Sequence, residues 1–155
     1  MKREGALADL AAWQPNRCSL ALAMDVVGTR SAILLIREAF YGTTRFDDFV
    51  RRVGITEAVA AGRLRELVEA GILAKRPYRE PGKRTRDEYV LTEMGEALLP
   101  ALLALIQWGD RYLQPDAGPL DFVEDTSGLA VRADVRTEQG KEVGLDELRV
   151  RPHRA

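Results

Sequence analysis

Between Thr44 and Gly71 the sequence encodes two short helices joined by one glycine, and this pair constrains the rest of the chain. Thr44 can cap the first helix. Phe46, Phe49, Val50 and Val53 then fall at i, i+3, i+4 and i+7, which gathers them on one inward stripe. Arg45, Arg51 and Arg52 point outward, and Gly54 supplies the turn. Thr56 can cap the second helix, which ends at Gly71. Its inward residues are Ala60, Leu64, Leu67 and Val68, while Arg63 and Arg65 lie off that face.

What surrounds the pair is equally patterned. Two strands, 72–80 and 87–92, flank the turn Pro81-Gly82-Lys83-Arg84-Thr85-Arg86. Thr92 can cap a long helix to about residue 113, and Leu98, Leu99, Leu102, Leu103, Leu105, Ile106 and Trp108 cover most of its circumference. A surface helix with one buried side needs less apolar surface than this. Pro100 either kinks this helix or sits where the missing bond is tolerated. Upstream, residues 7–13 read as a short helix ended by Pro15. Ser19 starts a helix to Gly28 with Leu20, Ala23, Met24 and Val27 on one face. A third helix begins at Thr29 or Ser31, carries Ile33, Leu34, Ile36 and Phe40 on its apolar side, and stops at Gly42. The expected organisation is an N-terminal arm (1–16), a main domain (17–114) and an extension (115–155). Glycines 118, 128, 140 and 144 and the alternating runs 129–131 and 148–150 mark that extension as a weak β-hairpin or meander.

Charge separates along the chain although the total is only −1. Residues 45–86 hold eleven Lys and Arg against six Asp and Glu, a net of +5, and the segments downstream are acidic. A basic middle in a chain that is otherwise near neutral or acidic is what one phosphate-facing surface produces. The longest apolar runs, such as 101–106, are far too short for a membrane span, and residues 1–12 lack the apolar centre of a secretion signal. The single cysteine has no intramolecular partner, so a reducing, cytoplasmic setting is expected. One Cys, one His and no Gly-rich phosphate loop leave no catalytic set, so no enzyme and no cofactor are expected.

The order helix, turn, helix, basic hairpin, long apolar helix answers the physical demands of duplex DNA. A helix reads the major groove while the one before it crosses the backbone. A basic hairpin reaches neighbouring phosphates or the minor groove. The wide apolar helix can join two copies over a twofold site. The expected fold is therefore mainly α with a small antiparallel β-wing, a winged helix-turn-helix with a short β-rich C-terminal extension. The rival reading is a winged-helix interaction module whose basic face binds a protein. A third keeps DNA and adds a small-molecule effector between helices.

The residues carry a more specific likeness. Cys18 to Gly28 (CSLALAMDVVG), Arg37-Glu38, Gly42 to Phe46 (GTTRF), Arg63 to Leu67 (RLREL), Gly71-Ile72-Leu73, Tyr78, Tyr89 to Gly95 (YVLTEMG), Leu98, Leu99, Pro100 and Trp108 resemble the HxlR-type bacterial regulators, relatives of the MarR-type winged-helix proteins. The resemblance covers about three-fifths of the chain, 18–112, near the size of a whole domain. It implies a homodimer on double-stranded DNA, joined through the terminal helices, with two recognition helices in successive major grooves. The recognition helix would span about 56–70 and the wing about 80–88. The DNA-facing set is Arg45, Thr56, Ala61, Arg63, Arg65, Lys83, Arg84 and Arg86. Arg63 fits equally a base contact and a structural brace to an acid. The dimer set is Leu98, Leu102, Leu105, Ile106, Trp108 and Tyr112, helped by Leu7 and Leu10. The chain departs from the family where Ser31 replaces a usual aromatic residue, and where Ala58, Ala61 and Gly62 stand in place of polar side chains.

Cys18 has two readings. It precedes a predicted helix, whose first N–H groups attract anionic sulfur, and some family members sense oxidants at this place. It equally fits a small buried hydrophobe. In many relatives the family domain is followed by a small ribbon that resembles a zinc ribbon, with paired cysteines before glycines. Here Gly128 and Gly140 match those glycines, but Ser127, Arg136 and Gln139 stand near the cysteine places. His153 and scattered carboxylates make no four-ligand set, so no metal is expected.

Overall fold

A computed structural model describes residues 1–11, 18–82, 84–116 and 118–152. The chain divides into two compact units: residues 19–103, and residues 1–18 together with 104–155. This division falls inside the last long helix, whereas the sequence pattern put the boundary near residue 114.

The first unit holds α1 (Ser19–Val27), α2 (Arg30–Phe40), α3 (Phe46–Val53), α4 (Glu57–Glu69), the antiparallel strands β2 (Leu73–Tyr78) and β3 (Arg86–Leu91), and the short α5 (Glu93–Glu96). Thr29, Thr56 and Thr92 cap α2, α4 and α5 through their hydroxyls, each satisfying one orphan backbone N–H. Gly54 ends α3 at φ 70°, a left-handed turn that glycine enters without steric cost. The core is built from Ala32, Leu35 and Ile36 of α2, Phe49 of α3, Leu64 and Leu67 of α4, and Ile72 and Leu73 at the start of β2. Phe49 meets Tyr89 of β3 edge-to-face at 6.1 Å, which joins the helix pair to the hairpin.

Two expected faces are rotated. On α2 the buried stripe is Ala32, Leu35 and Ile36, and Ile33 and Leu34 sit at its edges. The i, i+3, i+4 spacing from Ala32 selects Leu35, which the Ile33-based stripe leaves out. On α1 nothing is buried, and Leu20, Leu22 and Met24 are exposed.

The long helix expected from residue 92 is two. After α5 the chain turns at Ala97 and Leu98, then α6 runs Leu99–Tyr112. Pro100 explains the break. It has no N–H for the residue 96 carbonyl, and its ring would clash there, whereas in the first turn of α6 the bond is not required. Gly95 packs tightly at this junction, where a Cβ would lie 2.2 Å from the Ile72 carbonyl oxygen.

In the second unit the expected helix at residues 7–13 is a 3-10 turn, Gly5–Ala8, and Trp13 lies outside the described residues. The extension forms two turns closed by the single bridges Val123↔Ala130 and Arg136↔Glu142. Gly128 and Gly140 occupy these turns with positive φ. The run expected to close the meander instead becomes β4 (Arg149–Val150), parallel to β1 (Lys2–Arg3). The Glu124 carboxylate accepts the N–H groups of Ser127 at 2.7 Å and Thr126 at 3.1 Å. Hydrogen bonds from Ser127 first, then Thr126, pull it down to about 2.

Glu38 is the most buried carboxylate of the first unit. It accepts from Arg37 at 2.6 Å, from Arg52 in the last turn of α3, and from Thr43 at 3.5 Å. Burial alone would raise its affinity for a proton, but hydrogen bonds from Arg52 and Arg37 outweigh that and hold it below the ordinary range. Glu38→Gln should therefore destabilise the chain by about 1.5–3 kcal/mol, toward the lower end because Arg52 is half exposed. The sign with pH follows from a lowered folded value. The stabilisation is present above about pH 4.3 and is lost as pH falls below it, so the variant's unfolding midpoint should depend less on pH in that range. Equal midpoints and equal pH curves in thermal unfolding would contradict this role.

Candidate nucleic-acid interface

The α3–Gly54–α4 unit presents one side of α4 to solvent. Ala60, Leu64 and Leu67 turn inward, so Ala58, Ala61 and Arg65 stand exposed on the opposite side. Gly62 lies beside them, with nothing within 4 Å of a Cβ built there. This stripe has almost no side-chain bulk until Arg65, whose side chain is 70% exposed and only loosely paired with Glu69 at 3.9 Å. Arg63 is different. It pairs with Glu66 one turn on and is mostly covered, which favours the brace over the base contact. Thr56 spends its hydroxyl on the Val59 N–H at 3.4 Å.

The β2–β3 hairpin extends beside this helix pair. Gly82 turns its tip at φ 76°. Arg84 and Arg86 are exposed and form no ion pair among the described residues, and Lys83 lies outside those residues. Lower on the hairpin the bases are paired: Lys75 with Asp87 at 3.8 Å and Arg76 with Glu88 at 2.7 Å. A polar cleft of about 210 Å³ between the hairpin and the start of α3 includes Arg84 and Arg86, but also Asp47, Asp48 and Glu80. The acids make the cleft a poor anion site, so the two arginines can attract phosphate only from its outer surface.

Arg45 corrects the sequence reading. Expected at the DNA surface, it is engaged within the protein: its guanidinium lies 3.0 Å from the centre of the Tyr78 ring and 3.7 Å from Glu88 Oε2. The backbone adds a bond from Tyr89 N–H to the Thr44 carbonyl at 2.8 Å. Arg45 thus fastens the start of α3 to the wing. Hydrogen bonds from Arg76 first, and then Thr44, hold the Glu88 carboxyl below the ordinary range. Sequence reasoning passed over Glu88 and Glu38. The available signal was an acid placed among basic, half-buried positions, where an unpaired charge would be costly.

Among the expected dimer residues, Leu105, Trp108 and Tyr112 are exposed, as is Leu10. Leu98, Ile106 and Leu7 are half-buried. Leu102 is a correction, because it is buried within the protomer and has little surface left for a partner. Cys18 is exposed, so the buried-hydrophobe reading fails. Among the described residues no three His, Cys, Asp or Glu side chains converge. Among the described residues no single helix is long and apolar enough to cross a membrane.

Two helices joined by a glycine turn, the second with a free face, and a basic two-stranded hairpin beside them define a winged helix-turn-helix protein. Comparison with known proteins gives the family. Residues 26–117 match the HxlR-like helix-turn-helix family, and the chain belongs to it. An uncharacterised HTH-type transcriptional regulator of Mycobacterium tuberculosis is 40% identical over 111 residues, covering 71% of this chain and 69% of that protein. A solved transcription-factor candidate shares 38% identity at a TM-score of 0.76 and covers 87% of this chain and 94% of its own. The redox regulator HypR in its reduced form shares 30% identity at a TM-score of 0.55, over 62% of this chain and 96% of its own. The relatives are transcription regulators, a class that does not catalyse reactions, and the chain is a DNA-binding regulator of that kind.

Proposed function

We propose that the protein is a sequence-specific double-stranded DNA-binding regulator that acts as a cytoplasmic homodimer. The observation that carries this reading is the pairing of a low-bulk α4 face with two exposed wing arginines that form no ion pair among the described residues of the same unit. Ala58, Ala61 and Gly62 let the α4 backbone approach the floor of the major groove, and alanine methyls suit thymine methyl groups. Arg65 is the side chain on that face long and free enough for a bidentate bond to guanine. Arg84 and Arg86 meet phosphate and sugar, which position the protein without reading sequence. Arg45, Thr56 and Arg63 act one step back, holding the helices that make these contacts.

Apolar side chains left exposed on α1 (Leu20, Leu22, Met24) and on α6 (Leu99, Leu105) supply surface for a second copy. Residues 115–152 are read as a metal-free counterpart of the family's ribbon. Its first turn is held by the Glu124 carboxylate, where a metal-bound turn would use thiolates.

Two experiments follow. Alanine at Arg84 and Arg86 together should weaken operator and random DNA about equally. It should also flatten the slope of log affinity against log salt by about two units, since each lost phosphate contact removes roughly 0.9. Arg65→Ala should cost about 1–3 kcal/mol on the operator and much less on random DNA. A wild-type salt slope in the double variant, with operator binding intact in Arg65→Ala, would contradict the DNA surface drawn here. Cys18 supplies a redox input in this reading, supported by its exposure and by the similarity to HypR. An oxidant or alkylating agent should then shift DNA affinity in the wild type and not in Cys18→Ser. Complete alkylation, verified by mass, that leaves binding unchanged would reject that role.

A further inference from the structure

The second unit contains a cavity that DNA binding does not use. About 600 Å³ lie between the later turns of α6 and two tail segments, 118–122 and 130–134. That volume falls within the range of roughly 300–1,000 Å³ common for small-molecule sites. The walls are fastened to each other. The Gln107 amide donates to the Val131 carbonyl at 2.8 Å and accepts from the Ala133 N–H at 3.0 Å, copying a strand's pairing with a side chain. On the other side the Asp110 carboxylate packs on Gly118, where any added Cβ would displace it. A cavity framed this way is formed before a ligand arrives, which lowers the ordering cost of binding.

Its chemistry is uneven. Trp108 and Tyr112, one turn apart on α6, have ring centroids 5.9 Å apart and tilted by 46°, and each is more than half exposed. Arg111 already lies 5.2 Å from the Tyr112 ring centre, so that ring's environment accepts a cation. Asp110, Asp121 and Asp134 line the same space. Arg136 neutralises Asp134 at 3.1 Å, but Asp110 and Asp121 take no ion pair among the described residues. Arg111 and Arg132 also line the cavity, so charges there balance and the preference for a cation rests on the two ring faces and on how near the unpaired acids lie to them. Aromatic faces beside unpaired carboxylates match a positive charge on an apolar body.

We propose that this cavity is a binding site for a small organic cation with an aromatic or flat apolar body. The charge sits over Trp108 and Tyr112 and against Asp121 and Asp110, and the body fills the space between α6 and the tail. An effect of such a ligand on operator affinity rests on the function proposed above, whereas binding itself does not.

The test uses the full chain carrying Trp13→Phe, so that Trp108 alone reports by fluorescence. The probe is tetraphenylphosphonium, with tetraphenylborate as its counterpart of the same shape and opposite charge. The cation should quench saturably at one site per protomer, and the anion should bind at least about tenfold more weakly. Asp121→Asn should lower cation affinity about threefold to tenfold, Tyr112→Leu by about tenfold, and Tyr112→Phe should restore it. Calorimetry on the unlabelled wild type gives a second readout should a variant fold poorly. Equal affinity for cation and anion, or no saturable signal, would overturn the site. So would quenching that appears only as sedimentation shows a dimer dissociating, since a second copy would then be the occupant. Because the readout needs no DNA, its failure leaves the wing prediction standing, and failure of the wing prediction leaves this site standing.

Discussion

Two buried carboxylates hold α3 at its ends, and the geometry of the DNA-binding unit depends on them. At the end of α3, Arg52 reaches Glu38 of α2. At its start, Arg45 reaches Glu88 of β3 and covers the Tyr78 ring. A helix of eight residues is too short to be stable alone and takes its position from what it touches. Clamped in this way, α3 presents Phe49 to the core, and Phe49 shares that core with Leu64 and Leu67 of α4. The exposed face of α4 therefore inherits its direction from two ion pairs made within the protein. A buried carboxylate left without its arginine would cost more than the pair contributes, so the arrangement resists partial change.

Much of this was legible in the residues. The i, i+3, i+4, i+7 spacing of Phe46 to Val53 and the glycine at 54 locate α3, and Thr56 caps α4 as expected, whereas Thr44 does not cap α3, whose N-cap is Arg45 without a side-chain bond. The Pro-Gly turn locates the hairpin; its first strand is shorter than expected because the pairing stops at Tyr78, and its second is shifted by one residue to Arg86–Leu91. Less legible were features that depend on partners distant in sequence. Arg45 looks like a surface base by periodicity, and only the packing of β3 against the start of α3 turns it inward. Leu20 and Met24 look like core residues by spacing, yet no element of their own unit buries them. Apolar stripes report that a surface will be covered and do not say by what. The break before α6 was half legible, since Pro100 signals it but cannot decide between a kink and a fresh start.

The outer surface divides the labour. In residues 19–103 the basic, low-bulk side is α4 and the wing, with apolar surface left on α1. In the other unit Gln107 and the Asp110–Gly118 contact tie a tail of little regular structure to the helix that bears Trp108 and Tyr112. Such a tail buries little apolar area, and single bridges, carboxylate-capped turns and a two-residue strand pair replace a core.

Site-directed cleavage shows whether α4 enters the major groove in two copies. A hydroxyl-radical-generating chelate is attached at Ala61→Cys, in the Cys18→Ser chain, on DNA that carries the bound operator. Two clusters of strand cuts about one helical turn apart are expected, each centred on a major groove, with none from the same chelate placed at Glu96→Cys. A single cluster, cuts centred on the minor groove, or equal cutting from both positions would contradict it.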